Sequence, residues 1–122
     1  MQKELIYLAS PYSSDDRNIK EKRFREVSQA AAELIRRGHI IFSPVVHFHP
    51  IAIEGELPGN WSFWKQIDTT YLKCCSRMFV LMIPGWESSV GIKGEIDIAK
   101  NLEIPICYVD PNSLDILWEP PL

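Results

Sequence analysis

The chain has 122 residues, 46% of them hydrophobic and 24% charged, with a net charge of −3 and an isoelectric point near 5.6. That length holds one domain with one real core, and the balance of residue types excludes a disordered chain. The acidic balance excludes a nucleic-acid backbone as the main partner, because neutralising phosphates needs clustered Lys and Arg, and no apolar run is long enough to span a bilayer.

In chain order, residues 5–9 (LIYLA) predict a short buried strand, ended by the loop Ser10-Pro11-Tyr12-Ser13-Ser14. Residues 15–37 predict the longest helix: Phe24, Val27, Ala31, Leu34 and Ile35 recur at helical spacing, Ser13 and Asp16 offer a capping pair, and Gly38 terminates it. Its Arg17, Lys20, Lys22, Arg23 and Arg25 read as a solvated face, with Arg17 close enough to the first loop to reach an anionic ligand. Residues 39–42 (HIIF) predict the second strand. From Ser43 through Gly59 the chain reads as irregular, broken by Pro50, Gly55, Pro58 and Gly59, and a loop of that length is functional or mobile.

Residues 61–75 predict a helix with Asn60 or Ser62 at its start, Trp64, Ile67, Tyr71 and Cys75 on one face, and Asp68 at the edge of that stripe. Trp61, Phe63 and Trp64 serve either as core or as flat apolar walls for a ring. Residues 78–83 (MFVLMI) predict the third strand, residues 89–101 a helix, and residues 106–109 (ICYV) the fourth strand. The tail after Asp110 carries Leu114, Ile116, Leu117 and Trp118, which can pack on the domain or on another subunit. Cys74, Cys75 and Cys107 do not make a disulfide framework and, with no signal peptide at the start, point to the cytoplasm; the first two read as core packing.

Alternating strands and helices predict an α/β domain with a doubly wound parallel sheet, flavodoxin-like or Rossmann-like, in strand order 2-1-3-4. The chain reverses between strands 1 and 3, and ligands in such sheets sit at the carboxyl ends of the strands beside that reversal. The segments that converge there are residues 10–14, 43–49 and 84–91, which brings forward Ser10, Ser13, His47, Gly85, Ser89 and Gly91, with Trp64 as a candidate ring wall. The stretch GWESSVGIKGEIDIAK, residues 85–100, is a glycine-bearing turn leading into a helix. Gly91 and Gly94 leave room for a ligand near its backbone, and Ser88 or Ser89 can cap it. Glu95, in the first turn or just beyond, is expected to be held ionised by the positive end of the helix.

Neither nucleotide-binding signature is present: the turn lacks the G-x-x-x-x-G-K-S/T order, and the first strand is not followed by G-x-G-x-x-G. His47 and His49 can share one side of an extended segment, but no further ligands at metal spacing accompany them, so a polar or structural role is expected. The constellation that carries chemistry is Glu95 with Asp68. Two carboxyls at one pocket divide the labour on a glycosidic bond, one attacking or steadying the sugar carbon and the other handling a proton on the leaving group.

Tyr7 in IYLASPYS, Asp68 in WKQIDTTYLKCC and the block from Ser89 to Glu95 (SVGIKGE) ahead of Ala99 resemble the nucleoside 2-deoxyribosyltransferase family and its relatives, the deoxynucleoside 5′-monophosphate N-glycosidases, nearest a small phage-associated branch. The resemblance covers nearly the whole chain in element order. It implies a doubly wound α/β subunit, no metal or organic cofactor, and an active site completed across the interface of a homo-oligomer. It assigns Glu95 as nucleophile, Asp68 as the acid that manages the base, and Tyr7 as the tyrosine that orients the nucleophile. Ser89 falls on a phosphate-binding serine of the hydrolases. Their serine and arginine after the first strand are Pro11 and Ser13 here, leaving Ser10, Ser13 or Arg17 to meet a phosphate.

The expectation is an enzyme that cleaves or transfers the N-glycosyl bond of a (deoxy)nucleoside or its 5′-monophosphate, a small-molecule partner, with no nucleic acid and no membrane. The alternative is a nucleotide-binding sensor or interaction module that keeps the fold without turnover.

Overall fold

The computed structural model describes residues 4–121. The elements run β1 (Leu5–Ala9), α1 (Arg17–Arg36), β2 (Ile40–Phe42), α2 (Pro44–Gly55), α3 (Trp61–Leu72), β3 (Arg77–Leu81), α4 (Val90–Asn101), β4 (Ile106–Val109) and β5 (Ile116–Leu117), with one 3-10 turn at Trp86–Ser88 before α4. The strands form one sheet in the order β2-β1-β3-β4-β5. The first four are mutually parallel, with Tyr7 facing Phe42 on one side and Met78 on the other, and β5 is antiparallel to β4. The chain therefore reverses between β1 and β3, as the alternation of elements requires.

Side chains of a strand alternate between faces, and the two cores follow that period. Ile6 and Leu8 of β1 join Phe79, Leu81, Cys107 and Val109 under Val27, Ala31 and Leu34 of α1 and Val45 of α2. Tyr7 and Ala9 point the other way, joining Met78 and Val80 under Leu72 of α3 and Ile92 and Ala99 of α4. So α1 and α2 cover one face and α3 and α4 the other. Tyr7 is wholly buried on the second face, which matters for the site below.

The expected irregular stretch from Ser43 to Gly59 is largely a helix. Ser43 Oγ accepts the Val46 N–H at 3.1 Å, Pro44 takes the first helical position where its missing donor costs nothing, and Val45, His49 and Ala52 bury one stripe. That burial outweighs the backbone bond lost at Pro50. Only residues 56–60 connect α2 to α3. The helix expected over 61–75 ends at Leu72, so Cys75 is buried beyond it, whereas Cys74 is exposed rather than in the core. The tail packs on its own domain through Leu114 and the β5 pairing, leaving Trp118 exposed with its ring 5.0 Å from the Arg77 guanidinium. Among the described residues no helix is long and apolar enough to cross a membrane.

Candidate active site

A cavity of about 620 Å³ opens at the carboxyl ends of β1 and β3, within the size range of small-molecule sites. Its walls come from the three converging loops and from the helices that leave them: Ser10, Tyr12 and Ser13 after β1, Pro44, Val45 and Phe48 of α2, and Gly85, Ser88 and Ser89 before α4. Asp68 of α3 and Glu95 of α4 both line it. Residues 27 positions apart in the chain thus share one compartment, because α3 and α4 pack side by side on the same sheet face.

Glu95 is 5% exposed and accepts a hydrogen bond at Oε2 from the Tyr7 hydroxyl. Tyr7 is buried on β1, an interior strand paired on both sides, so the bond ties the carboxylate to the sheet. Asp68 is 9% exposed, and among the described residues its Oδ1 has no hydrogen-bond partner. The Ser10 hydroxyl is likewise buried without one. Buried polar atoms are almost always paired, so these two are groups that a ligand would satisfy.

Burial pushes the Glu95 carboxyl up to about 8; the Tyr7 bond opposes this and the Asp68 charge adds to it. Burial pushes Asp68 up to about 7. Tyr7 stands well above its ordinary value, through burial first and then the two neighbouring acids. The expectation that the helix start alone keeps Glu95 ionised is therefore corrected. Glu95 is the sixth residue of α4, beyond the first turn where the dipole acts, and desolvation dominates. The two carboxyls titrate as a coupled pair that holds about one proton near neutrality.

One wall is aromatic, built from Phe48, Trp61 and Trp64. Trp64 Nε1 donates to the Pro58 carbonyl at 2.6 Å, which ties the wall to the connection between α2 and α3. The Trp61 indole lies on α4 at Gly94, where an added Cβ would meet ring atoms at 2.5 Å. Gly94 thus makes room for Trp61 and not for a ligand, whereas Gly91 does line the cavity.

Part of the lining is polar. Arg23 Nη1 donates to the Ser13 carbonyl at 2.9 Å, and its Nη2 lies over Gly85, where a Cβ would stand 2.5 Å away. Gly85 has φ +98°, a conformation that glycine adopts without strain. Among the described residues no carboxylate pairs with Arg23. Ser89, also on the lining, caps α4: its Oγ accepts the Ile92 N–H at 3.1 Å, which leaves its own proton available to a ligand.

Of the residues singled out from sequence, Glu95, Asp68, Ser10, Ser13, Trp64, Gly85, Ser89 and Gly91 all line the cavity, and Tyr7 reaches it through Glu95. Two do not. Arg17 is exposed at the start of α1, two turns from Arg23, which occupies the place expected for it. His47 is exposed on α2 among Phe42, Phe48 and Tyr71. In a helix, positions 47 and 49 point to different sides, so the two histidines do not converge as an extended segment would have them do. Arg23 was not expected at the site, and Tyr12 and Phe48, though inside the segments expected to converge there, were not singled out. Arg23 is hidden among the other basic residues of α1, and Tyr12 and Phe48 carry no spacing signal.

No curated protein matches the chain. The model of a family described as Domain of unknown function (DUF1937) matches residues 4–110, nearly the whole length, and the chain belongs to that family.

Proposed function

We propose that the protein breaks the N-glycosidic bond of a nucleoside 5′-monophosphate, with Glu95 as nucleophile and Asp68 as acid. The observation that carries this reading is the pairing of a buried carboxylate, held by a buried tyrosine, with a second carboxyl that has an unpartnered oxygen in the same nucleotide-sized cavity. The singly protonated pair holds its proton mainly on Glu95, the more basic of the two, and reacts through the arrangement in which that proton is on Asp68 and Glu95 is ionised. Glu95 attacks C1′, the bond from C1′ to the base nitrogen breaks with its electron pair going to the base, and Asp68 supplies the proton. Water then attacks C1′, the Glu95 carboxylate leaves, and Asp68 takes back a proton from the water. A second base in place of that water turns hydrolysis into transfer.

The phosphate preference rests on Arg23 and Ser89, which line the same cavity as the aromatic wall suited to a base. A guanidinium that no carboxylate pairs with among the described residues, with hydroxyls on the same lining, offers the donors that bind a phosphate dianion. The test is to incubate the protein with the common nucleosides and 5′-monophosphates, with and without free base, and to follow base release by chromatography. Release from monophosphates that is lost in Glu95→Ala supports the reading; binding without release makes the protein a sensor instead.

A further inference from the structure

Outside the carboxyl pair, one buried titratable side chain has both of its polar atoms engaged. His49 of α2 is 4% exposed, with Nδ1 at 2.6 Å from the Tyr12 hydroxyl and Nε2 at 2.9 Å from Glu21 Oε1. Its ring is clamped by Phe24, stacked at 4.4 Å, and by the Tyr12 ring, edge-on at 5.4 Å. The line runs from a cavity wall, Tyr12, through the interior to a half-exposed carboxylate on α1.

The direction of each hydrogen bond in this line follows from its outer end. Hydrogen bonding to His49 and the nearby Arg25 and Arg17 hold Glu21 below the usual carboxylate range, so at neutral pH it only accepts. Nε2 of His49 must therefore carry the proton. In the neutral ring Nδ1 is then a lone pair, and Tyr12 must spend its single O–H proton on it. What remains on the Tyr12 oxygen is acceptor capacity alone. Burial and the Glu21 charge raise the Tyr12 phenol above its ordinary value, which keeps it a hydroxyl.

We infer that Tyr12 is a specificity-determining residue, held by His49 and Glu21 as a fixed acceptor that reads a hydroxyl of the substrate's sugar. This rests on the nucleotide reading above. Of the parts of a nucleoside monophosphate, the phosphate dianion is all acceptor and finds no proton on Tyr12. The base is met by Asp68, through the proton it gives and its unpartnered Oδ1. The sugar hydroxyl is the donor left for Tyr12, and the cost of leaving that oxygen facing an apolar ligand surface sets the discrimination.

The test compares a 2′-deoxynucleoside monophosphate with its 2′,3′-dideoxy counterpart, in the full-length protein and in Tyr12→Phe. The ratio of kcat/KM between the two substrates falls by about tenfold in the variant, the worth of one hydrogen bond. An unchanged ratio overturns the inference, because a merely structural tyrosine slows both substrates alike. A second measurement does not depend on activity: long-range proton–nitrogen correlation spectra of the labelled protein at about pH 8 report which His49 nitrogen is protonated. A proton on Nε2 is expected. A proton on Nδ1 overturns the inference, since Tyr12 would then receive that bond and be free to donate. A wild-type protein inert on every nucleotide defeats the proposed function itself, while the spectrum still reads the polarity of the line.

Discussion

The Trp61 indole occupies the space that a side chain at Gly94 would need, so the two helices carrying Asp68 and Glu95 meet through a ring laid on bare backbone. The contact sets how close α3 comes to α4, and Asp68 and Glu95 lie two turns and one residue away from it along their helices. Gly94→Ala adds a methyl at 2.5 Å from the ring. Overpacking of about 1–3 kcal/mol, offset by roughly 1 kcal/mol of helix propensity, predicts a net destabilisation of about 1 kcal/mol in urea titrations. The loss of base release is larger than that change in stability explains, because the two acids move apart.

Tyr7→Phe keeps the ring in its core position and removes only the donor to Glu95. A hydrogen bond to a charged group is worth about 1.5–3 kcal/mol, so kcat for base release falls by roughly 10–100-fold while KM changes little. Steady-state kinetics beside a melting curve check this. A loss of KM alone would mean that Tyr7 serves binding and not the nucleophile.

The carboxyl pair makes both activity and stability depend on pH. The folded chain holds protons on Glu95 and Asp68 up to about 8 and about 7, whereas the unfolded chain releases them near the ordinary carboxyl values of 4.5 and 3.8. The contribution of the pair to stability is fully present below those unfolded values and is lost as pH rises through 7 and 8. The melting temperature therefore falls from about pH 5.5 to about pH 9, and Glu95→Gln flattens the upper part of that slope. Activity needs the singly protonated pair, so kcat/KM follows a bell whose limbs are the two apparent values of the pair.

The parallel order β2-β1-β3-β4 was legible because hydrophobic runs alternate with helical spacing, and the meeting of Asp68 with Glu95 followed from where such a sheet reverses. Helix α2 was obscured by weighting Pro50, Gly55 and Pro58 as breakers. The opposing signals were present in Ser43 as cap, Pro44 at the first position, and Val45, His49 and Ala52 at helical spacing. Arg23 could not be separated from its neighbours on α1, since only the fold of the β1 loop and the bare backbone at Gly85 turn it toward the cavity. The helix dipole misled about Glu95 for a physical reason: sequence position indicates the dipole but not the desolvation that outweighs it.

Arg23→Ala removes the guanidinium without touching the carboxyl pair. Expected is a rise of about 10–100-fold in KM for nucleoside monophosphates, with little change for the unphosphorylated nucleosides, the size of a lost charge-assisted pair. Arg23→Lys restores only part of it, because one point charge replaces a fork. Equal losses on both substrate classes would show that Arg23 holds the Ser13 and Gly85 loops rather than a phosphate.

The nucleophile itself can be caught. In a monophosphate carrying fluorine at the 2′ position of the sugar, the electron-poor C1′ slows breakdown of a glycosyl ester, and intact-protein mass spectrometry of the quenched reaction then reads any covalent sugar phosphate. The predicted result is one sugar phosphate added per chain, on the peptide that contains Glu95, and none in Glu95→Gln. Base release with no adduct, or an adduct on another residue, would contradict the assignment of Glu95 as the attacking group.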